Sequence, residues 1–117
     1  MKSLIILNDP PYGTERSYNG LRLARALQKN DAQPEVTVFP MADAVLCAKA
    51  GQKTPDGFYN IERMIRRVVL GKGSGLLCDT CMDARGLAEA EIAPGARRST
   101  MDELAAATIA ADRVLVF

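Results

Sequence analysis

The chain has 117 residues, 48% hydrophobic and 25% charged, with 15 Lys and Arg against 14 Asp and Glu for a net charge of +1. That length buries about two-thirds of the unfolded surface, so one α/β domain spanning residues 1–117 is expected to fold without disulfide or metal staples. The balanced charge excludes the electrostatic footprint of a nucleic-acid binder, because the Arg66-Arg67 and Arg97-Arg98 pairs are too few for a basic stripe.

No apolar run approaches the ~20 residues of a membrane span. The N-terminal Leu4-Ile-Ile-Leu7 runs straight into Asn8-Asp9-Pro10-Pro11 with no small-residue cleavage site, so it reads as a strand and not as a signal peptide. Three cysteines, an odd number, argue against a secreted disulfide framework and for a reducing, cytoplasmic compartment. The chain contains no histidine, which removes Ser-His and Cys-His catalysis and every histidine-bearing metal site.

In chain order, Leu4–Leu7 has the continuous apolar pattern of a strand buried on both faces. Asn8–Gly13 is loop, and Thr14 is placed to cap a helix whose Gly20, Leu23, Ala24 and Leu27 share one face. Gly20 allows close backbone approach. Val36–Phe39 is a second strand, and Pro40 starts an alanine-rich helix over 42–50 that carries Asp43 in its first turn and Cys47 amid apolar neighbours. The polar loop Gln52–Gly57 is the longest irregular stretch and the one expected to move most. Asn60 caps a helix with Ile61, Met64, Ile65, Val68 and Val69 in the clearest amphipathic repeat of the chain, stopped by Gly71 and Gly73. Residues 87–98 are turn-rich and read mostly as loop. Ser99 opens a capping box with Asp102, the helix continues to about Ala111, and Val114–Phe117 reads as a last buried strand. Helices alternating with apolar strands imply an α/β sandwich around a mainly parallel sheet.

Chemistry concentrates in Gly75–Gly86. Leu76 and Leu77 end a strand, delivering Cys78 to the start of a short helix with Cys81 three residues on and Arg85 one turn later. Backbone N–H groups and a nearby cation favour a thiolate, the form of cysteine that acts as nucleophile. The Cys-x-x-Cys leaves several readings open: two buried thiols, a thioredoxin-like redox pair, or a zinc site that would lack a fourth ligand. Thioredoxin's pair normally comes early with Trp nearby, whereas here it comes late in a chain without Trp. The Pro11–Ser17 loop is a poor phosphate cradle, having one glycine and the acidic Glu15, so no flavin, other cofactor or metal is expected. Sites on parallel sheets gather at the strands' carboxyl ends, which would bring Asn8–Gly13, Pro40–Met41 and Cys78–Cys81 to one edge.

These residues resemble the DsrE/DsrF-like sulfur-relay family, which includes TusD-like and YchN-like members. The resemblance rests on Pro11-Tyr12-Gly13-Thr14 after the first strand, on Cys78 at a strand end followed by Arg85-Gly86, and on the terminal Asp112-Arg-Val-Leu-Val-Phe117. It implies a three-layer α/β/α sandwich on a five-strand mainly parallel sheet, assembled as a homotrimer or hexamer. The implied activity is sulfurtransferase-like: Cys78 takes sulfane sulfur from a protein donor as a persulfide and passes it to an acceptor such as a TusA-like carrier. Cys81 departs from the TusD-like pattern, where alanine is usual, and would serve as an auxiliary thiol able to release sulfide by forming a disulfide. Arg85 would stabilise the sulfur anion, while Tyr12, Gly13, Thr14 and Asp43 would face the substrate or partner. The alternatives are a Cys-x-x-Cys redox protein and a non-enzymatic oligomeric module that binds a small molecule or metal at the same edge.

Overall fold

The structure is a computed structural model that describes residues 1–55 and 58–117. Five strands form one parallel sheet: β1 (Lys2–Leu7), β2 (Glu35–Pro40), β3 (Ser74–Cys78), β4 (Ala96–Ser99) and β5 (Arg113–Val116), in the order β4-β3-β2-β1-β5. The helices are α1 (Arg16–Asn30), α2 (Ile61–Leu70), α3 (Asp79–Ala84) and α4 (Met101–Ala110), with short 3-10 turns at Ala42–Ala48 and Glu89–Glu91.

The connectivity explains the layers. The crossovers β1–α1–β2, β2–α2–β3 and β3–α3–β4 each step one strand in the same direction. Right-handed crossover therefore places α1, α2 and α3 on one face. The last crossover runs back past the whole sheet to the far side of β1, which places α4 on the other. This is the three-layer α/β/α fold expected.

Leu4, Ile5, Leu7, Val36, Val38, Phe39 and Leu77 fill the sheet's core, each at most 3% exposed. At roughly 1.5–3 kcal/mol per fully buried large apolar side chain, they supply the main drive to fold. Gly20 is where α1 touches the sheet: a Cβ there would lie 2.6 Å from Leu7 Cδ2 and 3.2 Å from the Phe117 ring. Asn60 caps α2 as expected, its side chain accepting the Arg63 N–H at 3.0 Å.

Several boundaries differ from expectation. Thr14 does not cap α1; its hydroxyl donates to Asp9 Oδ2 at 2.9 Å, and Glu15 holds the cap position without a side-chain bond. Pro40 ends β2, and the alanine-rich segment after it is a 3-10 turn entered through Ala42 at φ 50°. The α4 cap is Thr100, whose Oγ1 accepts from Glu103 N–H at 3.1 Å, one residue beyond the expected Ser99, which closes β4. Residues 87–98 are not mostly loop. Ala50 and Ala93 hydrogen-bond the carbonyls of Glu91 and Ala48, tying this segment to the end of the first 3-10 turn, and β4 follows. Finally, β5 is an edge strand and not a buried one: Val114 is 39% and Val116 65% exposed.

The expected mobile loop Gln52–Gly57 divides. Asp56 and Gly57 lie outside the described residues, whereas Gln52 is tightly bonded. Its amide nitrogen donates to the carbonyls of Leu46, Cys47 and Lys49, its backbone N–H to Glu62, and its carbonyl accepts from Asn60.

Candidate functional site

The apolar run of β3 carries Cys78 to the strand's carboxyl end, and α3 begins at the next residue. Cys78 takes the helix N-cap position with its sulfur as the acceptor: Cys81 N–H donates to Sγ across 3.3 Å. The Thr80 hydroxyl lies 3.4 Å from the same sulfur. Cys78 and Cys81 are joined as a disulfide, with Cα atoms 5.2 Å apart, inside the ordinary span of such bonds. Cys78 keeps 7% exposure and Cys81 is half-buried, so the second cysteine is the more accessible of the pair.

The six-residue α3 is too short to hold itself, and two arginines clamp it, one at its own C-terminal end and one from β4. Arg85, just past its end, donates through Nε to Asp43 Oδ1 at 2.8 Å and through Nη1 to the Cys81 carbonyl at 3.1 Å. Arg98, from β4, donates through Nη2 to Asp83 Oδ1 at 2.9 Å and to the Asp79 carbonyl at 3.5 Å. Thus Asp43, Arg85, Cys81 and Cys78 are brought together. Arg85, however, grips the backbone and a carboxylate and makes no bond to either sulfur.

Tyr12, Gly13 and Thr14 form a separate group. The Tyr12 hydroxyl donates to Gln52 Oε1 at 2.5 Å and accepts the Ile61 N–H at 3.3 Å. Gln52 in turn binds the carboxyl end of the 3-10 turn whose first residues hold Asp43. The Tyr12 group and the cysteine group are therefore tied to opposite ends of that turn. A cavity lined by Pro11, Tyr12, Gly13 and Thr14 is walled by Tyr18, Tyr59 and Ile61 and contains no cysteine. The three loops do share the sheet's carboxyl edge, since β3, β2 and β1 are neighbours and Met41 N–H donates to Leu7 O at 2.8 Å.

Cys47 is fully buried beside Ser17, its thiol facing the Asp9 carbonyl at 3.9 Å. Burial pushes its pKa up to about 12, which keeps it a neutral packing group and not a nucleophile. Among the described residues, no group of three or more Cys, Asp or Glu is gathered to hold a metal ion. No helix is long and apolar enough to cross a membrane among those residues.

The profile of the DsrE/DsrF-like family matches residues 1–117. The chain belongs to that family. It is 39% identical over 116 residues to Protein YchN of Escherichia coli (strain K12), covering 99% of this chain and 98% of that one. The crystal structure of ychN protein from E. coli matches the fold with a TM-score of 0.93 at 38% identity, over 99% of this chain and 98% of that one. Sulfurtransferase TusD of Salmonella arizonae is 26% identical over 129 residues, covering both chains fully.

Two residues of the site were not found by sequence reasoning. Thr80 carries only the weak signal of a hydroxyl inside the Cys-x-x-Cys. Arg98 was hidden because the Ala96–Ser99 strand, charged and short, had no apolar run to reveal it and so could not be placed beside β3.

Proposed function

We propose that this DsrE/DsrF-like chain is a cytoplasmic sulfur-relay protein in which Cys78 carries sulfane sulfur as a persulfide. The observation that carries the proposal is the Cys78 sulfur at the β3–α3 junction, with an amide N–H donating to it, a hydroxyl 3.4 Å away and a second cysteine bonded to it. Hydrogen bonds from N–H and O–H groups favour a sulfur anion over its neutral form.

The chemistry balances without a cofactor. The Cys78 thiolate attacks the outer sulfur of a donor persulfide, forming Cys78–S–S⁻ and releasing the donor as a thiolate. An acceptor thiolate then takes the terminal sulfur and returns Cys78 to its thiolate. Where no acceptor is present, the Cys81 thiolate attacks the inner sulfur of Cys78–S–SH, expelling HS⁻ and leaving the Cys78–Cys81 disulfide. That disulfide must be reduced by two electrons from a thiol reductant before another cycle. In this scheme Arg85, Asp43 and Arg98 position α3, and Tyr12, Gly13 and Thr14 form the partner-facing rim on the same edge.

Residues 1–117 would act as one unit that associates with copies of itself, a homotrimer or hexamer. The exposed apolar residues Ile109 (86%) and Val116 (65%), on α4 and the β5 edge, supply a surface to cover.

A second reading, a dithiol redox protein, is favoured by the disulfide itself. Single-turnover incubation of the reduced protein with cysteine persulfide separates the two. Relay predicts that wild type releases sulfide and forms the disulfide, while Cys81→Ser releases none and delivers its sulfur to an added acceptor thiol. Failure of Cys81→Ser to take up or deliver sulfur would remove the relay proposal in favour of redox exchange.

A further inference from the structure

A concavity of about 550 Å³ lies between α1 and α2, away from the cysteines. Arg22 and Arg25 line it from α1, Arg63 and Arg67 from α2, and Tyr18 and Tyr59 close one end. On each helix the two arginines are one turn apart, so the groove is bordered by two rows of guanidinium groups. Four of the chain's 15 basic residues thus gather in a molecule whose net charge is only +1.

Among the described residues, no carboxylate comes within 4.0 Å of any of the four. Their described side-chain bonds are to neutral amides: Arg22 donates to Asn19 at 3.3 Å and Arg25 to Gln28 at 2.7 Å. Like charges gathered in this way oppose folding. Arginine's planar fork matches phosphate oxygens two at a time, which makes such a cluster suited to a polyanion.

The aromatic end adds a second requirement. Tyr59 is held at φ 57°, a left-handed conformation that a bulky residue rarely adopts, and its ring packs on Tyr18 with centroids 4.5 Å apart. Tyr59 remains 51% exposed, with Phe58 beside it at 71%. Exposed rings fixed next to cations form a platform for a planar, electron-rich group. The volume falls in the range of small-molecule sites, whereas a protein partner covers a broader surface of about 800 Å² per side.

From these features we propose that the α1–α2 groove binds a nucleoside di- or triphosphate, phosphates across the four arginines and base against the Tyr59 face. The site is independent of the sulfur chemistry, because neither Cys78 nor Cys81 lines it.

Calorimetric titration of the full chain with ATP, ADP, adenosine, inorganic tripolyphosphate and a poly-glutamate peptide tests the assignment. ATP and ADP should bind, tripolyphosphate about tenfold more weakly, and adenosine and the peptide not measurably at about 1 mM. Arg63→Gln and Arg67→Gln should each weaken ATP and tripolyphosphate alike by about tenfold, and Tyr59→Ala should weaken ATP alone. Raising salt should weaken ATP binding to the unaltered protein, a readout that needs no variant to fold. Tripolyphosphate binding as tightly as ATP would overturn the base platform. An absence of ATP binding, or binding of the acidic peptide in its place, would overturn the site.

Discussion

Replacing Arg85 by Met keeps the length of the side chain while removing both of its bonds, to Asp43 at 2.8 Å and to the Cys81 carbonyl at 3.1 Å. The ion-pair part is worth little on its own, because the side chains are 29% and 57% exposed and water screens them; about 0.5 kcal/mol is reasonable. The charge-assisted bond to the Cys81 carbonyl adds about 1 kcal/mol, since it holds the last turn of a helix with few other ties. The total of about 1–2 kcal/mol corresponds to a fall of roughly 4–8 °C in Tm for a chain of this size. Urea denaturation of the reduced protein for Arg85→Met, Asp43→Ala and the double variant closes a thermodynamic cycle. Coupling of about 0.5 kcal/mol between the two residues is expected. Sulfur delivery by Arg85→Met should slow by less than about tenfold, because the residue positions α3 and does not touch sulfur. Additive effects of the two substitutions would refute the clamp. A loss of delivery as complete as that of Cys78→Ser would show that Arg85 acts on the sulfur directly.

Other substitutions test how the fold positions that site. Gly20→Ala places a Cβ 2.6 Å from Leu7 Cδ2, so overpacking should cost about 1–3 kcal/mol in urea denaturation, where an exposed helical Gly→Ala would stabilise. Asn60→Ala removes the α2 cap and should cost about 1 kcal/mol by the same assay. The raised pKa of Cys47 makes a signed prediction. Its contribution is fully present below the ordinary thiol value of 9.0 and is lost as pH rises toward about 12, because the unfolded thiol ionises first. Between pH ~8 and ~10 the wild type should therefore lose about 1 kcal/mol more stability than Cys47→Ala; equal losses would show that the thiol is not sequestered.

Much of the sheet was legible because its central strands are apolar on both faces. Leu4–Leu7 and Val36–Phe39 announce themselves as buried strands, and the α2 repeat of Ile61, Ile65 and Val68 faces the core as its spacing requires. The edges were not legible for the same reason. In β4, Arg97 bonds Glu103 of α4 and Arg98 bonds Asp83 of α3, so its value lies in partners distant from the strand's own pattern. In β5, an apolar run occupies a sheet edge, which composition alone cannot distinguish from a centre. At the site, the Cys78–Cys81 spacing on a strand-to-helix junction was enough to locate the sulfur chemistry. What could not be read was the division of labour: Asp43 joins the cysteine group through Arg85, whereas Tyr12 spends its hydroxyl on Gln52 and the start of α2. Such pairings depend on where a 3-10 turn replaces an α-helix, and the roughly 20° of extra winding per residue leaves no mark in an alanine-rich segment.

The relay account is tested most directly by intact and peptide mass spectrometry after the reduced protein is incubated with a cysteine desulfurase and cysteine. A gain of one sulfur atom should map to Cys78 in Cys81→Ser and be absent from Cys78→Ser. Retention of that sulfur by Cys78→Ser, or its appearance on Cys81 alone, would contradict the assignment of Cys78 as carrier.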